Sequence, residues 1–361
     1  MTCRSHDNGA GNRVRQMRTA QGLSQEQLAA ATGLSRTEIS AIENARLTPS
    51  VAVALRLARA LGASAEALFA PEEKTGQLRW VGGTPETPCR VWLSRSISGA
   101  LTALPVERTH MGTLPHDAQW DGTTLHVRDG VTPEKTLVMA GCDSAVGMLA
   151  NSLAERGIRV IPLIRSSRRA LSMLRAGFAH AAGFHLGDDA SHADNGAVAR
   201  ALLGTGYRLT RMVRWQEGLA LADGIDARTT SEALRRELRW VGREAGSGAQ
   251  ACLDRLLAEH GTQNPVPCKT AASHYEVAQS VAMGWAEAGL CTQLVAEEAR
   301  LQFLPARRAD YDLCWPVALD DDLRLRALFE AVCSRRVREL YGSLPGYETG
   351  RTGDTAVLET A

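Results

Sequence analysis

The order of apolar and polar positions changes character twice along the chain. Over residues 12–68 apolar side chains recur at helical spacing, and Leu28, Ala31, Leu34, Ile39 and Ile42 supply one shared seam for two short helices. Ser24 with Gln27, and Ser35 with Glu38, place the same capping pair twice, so a helix is predicted to start after each serine. Gly33 stands between them, where a left-handed residue ends the first helix and turns the chain into the second. Two more helices are predicted over 50–61, behind Pro49, and over 64–69. Over 71–135 short β-like runs are broken by Gly, Pro and Thr, and residues 90–94 and 100–104, across a polar turn at Ser98-Gly99, read as a hairpin. From Thr136 the rhythm becomes strand, glycine or serine turn, helix. Residues 137–140 run into Gly141-Cys142-Asp143-Ser144, residues 159–164 into Ser166-Ser167, and residues 179–184 end at His185. A second set follows, with β-like runs over 209–221, a strand over 238–241 leading to Arg243 and Gly246-Ser247-Gly248, and a helix capped by Ser273 ahead of His274.

These patterns predict an α/β chain of three parts: an all-α helix-turn-helix domain over 11–70, a β-rich linker over 71–135, and a two-lobed α/β domain over 136–352. In the first part the second helix of the pair is held by its back face, leaving Arg36, Thr37 and Ser40 outward. Recognition helices set such N-terminal side chains on base edges in the major groove, so these three are the expected base contacts. Gln25, Asn44 and Arg46 are the expected phosphate contacts. Charge agrees, because residues 1–70 hold eight arginines against five acids while the whole chain carries a net +1.

The segments "LSQEQLA", "TGLSRTEIS" and "IENARLTPS" resemble the XRE, or Cro/repressor-like, helix-turn-helix family over about residues 11–69. The resemblance implies a five-helix domain, with an early Arg-rich helix ahead of the pair, and the expected regulator binds a double-stranded operator as a homodimer. Glu38 departs from a phosphate-facing surface, and its place in a capping box turns it away from DNA.

In the third part ligands are expected beyond the carboxyl ends of the strands, where helix N-termini offer free N–H groups. The segments "LVMAGCDSAVGMLA", "IRSSRRALSMLRAGFAHAAGFHL", "WVGREAGSGAQACLDRLL", "SHYEVAQSVAMGWAEAGL" and "LQFLPARRADYDLCWP" resemble the type 2 periplasmic-binding-protein-like domain that is fused to DNA-binding domains and molybdenum-cofactor proteins. The likeness implies a molybdate-like oxyanion held by Ser144, Ser167 and Ser247, with Arg243 as counter-charge. The family's Asn-Arg-Gln and Thr-Arg around the Gly-Ser-Gly turn are replaced by Gly242-Arg243-Glu244 and Ala249-Gln250. Asp143 and Glu244 would repel a dianion by about 4 kcal/mol per unit charge product at an effective dielectric near 20. Asp143 therefore either caps its helix or meets an effector with a positive or donating group. His185 and His274, at predicted cleft turns, are neutral donors to an effector or satisfied structural residues.

His180, His185, Asp188, His192 and Asp194 lie close in sequence but lack the i, i+4 pairing of a helical metal site, so no metal site is expected, and no cofactor. Eight cysteines, none in a Cys-x-x-Cys pair, read as reduced thiols. No signal-like N-terminus and no long apolar window is present, which predicts a cytoplasmic protein without membrane contact. No Gly-x-Ser-x-Gly, P-loop or His-Glu-x-x-His occurs, so no enzyme is expected. The expectation is a one-component transcription regulator sensing a small cytosolic effector. The competing expectations are a DNA-binding scaffold or antitoxin-like protein whose α/β domain binds a protein, and a regulator sensing a metal, amine or other organic ligand.

Overall fold

The structure, a computed structural model, describes residues 14–44, 46–63, 65–69, 78–96, 98–187, 194–262 and 265–359. Contacts divide the chain into two compact units, 1–78 and 79–361.

The first unit holds α1 (Val14–Ala20), α2 (Gln25–Thr32), α3 (Arg36–Glu43), α4 (Val51–Ala60) and α5 (Ala65–Phe69). Both capping boxes form: Ser24 and Ser35 each accept the third helical N–H, and the Gln27 and Glu38 side chains bond back to the cap. Gly33 adopts φ 65°, the left-handed turn between the pair. Val14, Leu28, Ala29, Ile39, Ile42, Leu57, Leu61 and Leu68 form the core. Ala31 does not join it and is exposed, contrary to the sequence expectation. At 100° per residue Leu28, Ala29 and Thr32 share one face, and residue 31 falls about 105° from its centre. Beneath this core Arg18 Nε meets Glu43 Oε1 at 2.5 Å in a buried pair.

The second unit opens with a five-stranded sheet of β1 (Arg79–Trp80), β2 (Cys89–Arg95), β3 (Leu101–Pro105), β4 (Ala118–Trp120) and β5 (Leu125–Val127), in the order β1-β3-β2-β4-β5. The hairpin read from the sequence is β2–β3. This segment is not a separate linker. Trp92 and Leu104 share one apolar cluster with Val138, Ile161, Leu163 and Leu171, and Arg159 closes a bidentate pair with Asp117, Nη1 to Oδ1 at 2.6 Å. The expected boundary at 135 is thus corrected: burial of the β2–β3 face needs the α/β domain as its cover.

The α/β part continues with β6 (Thr136–Gly141), α6 (Val146–Ala154), β7 (Arg159–Ile164), α7 (Ser167–Arg175), β8 (Ala181–Phe184), α8 (Asn195–Leu203), β9 (Tyr207–Leu221) and α9 (Thr230–Leu234). Then come β10 (Trp240–Arg243), α10 (Gly248–Glu259), β11 (Lys269–Ala271), α11 (His274–Ala282), β12 (Ala288–Thr292), α12 (Gln293–Glu298), β13 (Gln302–Pro316), α13 (Leu323–Cys333), α14 (Arg335–Gly342), β14 (Tyr347–Glu348) and β15 (Thr355–Val357). The strand order is β11-β10-β12-β9-β13-β8-β6-β7. Strands β6, β7 and β8 pair in parallel, as do β10, β11 and β12, so each trio with its helices makes one lobe. The long strands β9 and β13 pair antiparallel and serve both lobes. Met212, Val213 and Trp215 of β9 lie in a lobe 1 cluster, while Leu219, Ala220 and Leu221 lie in lobe 2 clusters. The crossing falls near residue 217, beside a register shift at Pro305/Arg307 in β13. β15 also pairs with β9, so the domain runs past the expected limit of 352. No helix of the described residues is long and apolar enough to cross a membrane.

Candidate effector cleft and DNA-binding face

The two units carry different chemistry and are taken in turn. On the first, Arg36 and Thr37 are exposed on the opening turn of α3 and Ser40 is half-buried one turn on. Arg36 makes only a loose contact with Glu26, 3.6 Å between two exposed side chains, which leaves it available to another partner. Asn44 is exposed at the end of α3 and bonds Ser40 O at 2.7 Å; Arg46 is exposed just beyond. Gln25 donates to Glu43 Oε2 at 2.8 Å, so its amide is held by the Arg18–Glu43 pair. Glu38 accepts from the Ser35 N–H and hydroxyl, each at 2.8 Å, and those bonds hold its carboxyl below its usual range.

In the second unit the turns after the parallel strands face each other between the lobes. Lobe 1 contributes Cys142, Ser144, Ser166 and His185; lobe 2 contributes Arg243, His274 and Thr292; the crossing strands contribute Trp215, Glu217, Arg307 and Tyr311. The lobes meet tightly. A Cβ at Gly248 would stand 2.6 Å from His185 Nδ1, and Arg169 reaches Glu244 at 3.7 Å.

Many polar atoms here have no hydrogen-bond partner among the described residues: the hydroxyls of Ser144, Ser166, Thr292 and Tyr311, Trp215 Nε1, Arg243 Nη1, His110 Nε2 and both nitrogens of His274. Buried polar groups are ordinarily satisfied, so these atoms make the region between the lobes the candidate binding site. Arg243 donates through Nε to Ala271 O and through Nη2 to Ala272 O, which fixes the guanidinium and leaves Nη1 over. Glu217 is fully buried. Its Oε2 accepts from Arg307 Nε at 2.8 Å, and its Oε1 lies 3.1 Å from His185 Nδ1, an ion-pair contact outside hydrogen-bond geometry. Burial opposes charge on both, but Arg307 holds the Glu217 carboxyl well below its usual range, and Glu217 holds His185 up to about 9. His274 is pushed the other way, by burial and by Arg243, and is neutral. Burial, with Arg243, lowers His110 to about 4.

Several expected residues serve as supports. Ser167 accepts the His185 N–H at 3.1 Å, and Ser247 accepts the Gln250 N–H at 3.1 Å, each retaining a hydroxyl proton to donate. Asp143 turns inward. It accepts from Ala145 N–H at 3.0 Å, Tyr341 OH at 3.1 Å and Tyr347 OH at 3.0 Å, while burial raises its pKa. Of the two expectations for Asp143, the bonds it makes are those of the inward one: it accepts from the backbone at the start of α6, and two tyrosines brought by the closing segment donate to the same carboxylate. His180 accepts from Val138 N–H and meets Arg324, apart from His185, and Asp194 caps α8. Asp188 and His192 lie outside the described residues. His185 instead converges with Cys142 and His274, their candidate ligand atoms mutually within 4.8 Å.

The sequence reading missed Cys142, Trp215, Glu217, Arg307, Tyr311, Thr292 and His110. His110 comes from the β-rich segment, on a loop tied to lobe 1 by Glu107–Arg165 at 2.7 Å, and lines a narrow cavity with Gly141, Asp143 and Tyr311.

Comparison with known proteins agrees with this architecture. A family model described as the PBP superfamily domain matches residues 150–332, and a helix-turn-helix model matches residues 14–68. The uncharacterized protein YvgK of Bacillus subtilis is 29% identical over 233 residues, covering 62% of this chain and 74% of that one. An HTH-type transcriptional regulator of Methanothermobacter thermautotrophicus is 47% identical over 49 residues, 14% of this chain and 71% of that one. Among solved structures, the regulatory domain of HypT from Salmonella typhimurium aligns with a TM-score of 0.44 at 12% identity, covering 60% of this chain and all of that one. The chain belongs to the PBP superfamily and carries an XRE-type helix-turn-helix ahead of that domain, which makes it a DNA-binding regulator with a periplasmic-binding-protein-like effector domain.

Proposed function

We propose that this regulator binds its operator as a cytoplasmic homodimer, and that its effector is a small anion of the tetrahedral oxyanion class that includes molybdate and tungstate, enclosed between the two lobes. The observation that carries the reading is Arg243, a buried guanidinium with Nη1 unpartnered at the end of β10, while other strand-end turns of both lobes carry unpartnered hydroxyls. A buried cation without a full set of partners is costly, and an oxyanion meets that need with a charge-assisted hydrogen bond. Ser144 and Ser166 from lobe 1 and Thr292 from lobe 2 offer neutral donors at helix starts, where the helix dipoles also favour negative charge.

The charges are consistent with a dianion. Arg243, Arg307 and protonated His185 outnumber Glu217, while Glu244 is met by Arg169, which leaves two positive charges for the effector. Asp143 borders the small cavity of His110 and Tyr311, but its carboxylate accepts from Tyr341 and Tyr347, which oppose part of its charge. The effector enters with the lobes apart and closes them by rotation about the β9–β13 crossing. Closure changes DNA binding to the extent that the effector prefers one lobe arrangement.

The test is thermal unfolding of the full-length protein with molybdate, tungstate, sulfate and phosphate, followed by an operator mobility shift with any anion that stabilises. A ligand at a hundredfold its Kd adds about 2.7 kcal/mol of apparent stability. Arg243→Gln is expected to abolish the gain. Stabilisation by amines or amino acids alone would replace the anion assignment, and no stabilisation by any small molecule would favour a protein partner.

A further inference from the structure

From the convergence of Cys142, His185 and His274 we infer a second ligand class for the cleft: a borderline-soft transition-metal ion, zinc being the type, held by one thiolate and two imidazoles that reach it from both lobes. The inference needs the inter-lobe cleft but not the oxyanion reading. The three residues lie far apart in sequence, on the turns after β6 and β8 in lobe 1 and at the start of α11 in lobe 2. All three are buried, and their candidate ligand atoms lie within 4.8 Å of one another. Tetrahedral zinc with one sulfur and two nitrogens sets those atoms roughly 3.5 Å apart, so a pair at the 4.8 Å limit must approach by about 1.3 Å, a movement within the reach of side-chain rotation.

Two independent features point to a ligand there. Both ring nitrogens of His274 are fully buried without a partner, an arrangement a metal bond relieves at one nitrogen. His185 is backed by a carboxylate, Glu217, at 3.1 Å from Nδ1, and Glu217 is itself fixed by Arg307 at 2.8 Å. A carboxylate behind a histidine is the usual outer support of a metal ligand: it orients the ring and leaves Nε2 for the ion. The set mixes sulfur and nitrogen donors, which suits zinc and its first-row neighbours and not magnesium or calcium.

On binding, the Cys142 S–H bond and the His185 Nε2–H bond break, the freed sulfur and nitrogen lone pairs form the two metal bonds and both protons leave to solvent; no electron is transferred. The thiolate and Glu217 together offset a divalent charge. Three protein ligands leave a fourth position, and Arg243 Nη1 favours an anion there, so metal and anion can occupy the cleft together. Because Cys142 and His185 belong to one lobe and His274 to the other, the ion links the two lobes.

The experiment is titration of the chelator-stripped full-length protein with Co(II), a spectroscopic substitute for zinc. One equivalent should bring tetrahedral d–d bands and a thiolate-to-cobalt charge-transfer band, both displaced by zinc. Cys142→Ser should lose the charge-transfer band and His274→Gln should weaken cobalt binding at least tenfold, whereas Cys252→Ala, at a buried cysteine in the lobe 2 core, should keep the full spectrum. If the site variants do not fold, the wild-type spectrum decides: no charge-transfer band at one equivalent overturns the site, as does a band that Cys252→Ala removes. Tungstate stabilisation of the metal-free protein is measured alongside. Loss of that response with the cobalt spectrum intact would overturn the oxyanion reading alone; the reverse pattern would overturn the metal site alone.

Discussion

Gly248→Ala isolates lobe closure from every other property of the cleft. Gly248 begins α10, and its backbone is outside the left-handed region, so alanine fits the open lobe without strain. In the closed structure the new Cβ would stand 2.6 Å from His185 Nδ1 and 2.7 Å from its Cε1, with the His185 carbonyl oxygen closer still. Ordinary contact begins near 3.4 Å and the His185 carbonyl oxygen would stand far inside it, so the two lobes must part by about 1.3 Å. Rotation of the His185 ring gives no escape, because the nearest atom is backbone and the adjoining N–H is held by Ser167. Overpacking of this kind costs about 1–3 kcal/mol, and here the cost falls on the closed state alone. The apparent Kd for an enclosed effector should therefore rise roughly 5- to 150-fold. Calorimetric titration with tungstate measures it, and small-angle scattering of the ligand-free protein should show a larger radius of gyration. A Gly248→Ala variant that binds tungstate as tightly as wild type, with an unchanged radius, would refute the claim that effector binding requires these lobes to meet.

Arg36→Ala should weaken operator binding by about 1–3 kcal/mol if Arg36 reads a base edge, and a mobility shift at fixed salt with unchanged affinity would remove it from the contact surface. Ser35→Ala deletes a cap that accepts the Glu38 N–H at 3.1 Å and should cost about 1 kcal/mol in urea unfolding of the helix-turn-helix; equal midpoints would show the box to be dispensable. The His185–Glu217 contact predicts a pH dependence. Because the folded-state value of about 9 lies above the ordinary 6.5, the stability it contributes is complete below pH 6.5 and is lost as pH rises through 9. The loss is on the order of 3 kcal/mol, and Glu217→Gln should flatten that slope in denaturation at pH 6.5 and 9. A variant that retains the full slope would place its origin elsewhere. The same variant leaves Arg307 buried without its carboxylate and should lower stability by about 3–5 kcal/mol at pH 6.5.

The helix-turn-helix was legible because its signals are local: each capping box spans four residues and reports its own helix start. Ala31 misled because helical spacing alone does not say where the buried face is centred. The strand–turn–helix rhythm located the cleft turns, but choosing between Ser166 and Ser167 required knowing which one begins the helix. Ser166 is the extended residue before α7, with its hydroxyl left over, while Ser167 inside the helix turns to His185. Glu217 carried a readable signal, since the two-residue period of β9 puts it in phase with Val213, Trp215, Leu219 and Leu221, all buried. A carboxylate on an apolar face asks for a buried partner. That the partner is Arg307 follows from the β9–β13 register, which joins residues ninety apart and has no trace in local pattern. Cys142, His185 and His274 likewise come together only through the strand order.

That register also explains why charge is concentrated where the molecule bends. Glu217 is opposite Arg307 on one side and Thr292 on the other, at the point where β9 passes from lobe 1 clusters to lobe 2 clusters. The next residue, Gly218, brings β9 so near Leu304 and Phe303 that no side chain fits between the strands, and β13 slips register at Pro305/Arg307. We propose this irregular crossing of the two strands as the hinge about which the lobes turn. Arg307 also donates to Gly248 O at 3.1 Å, while Glu217 touches His185, so the hinge pair reaches the opening turn of α10 in one lobe and the end of β8 in the other. An anion at Arg243 or a cation at Cys142 changes the field at this pair directly, in a dry setting where screening is weak. On the proposed reading, effector charge and lobe angle would be coupled through groups in contact, without a relay across the domain.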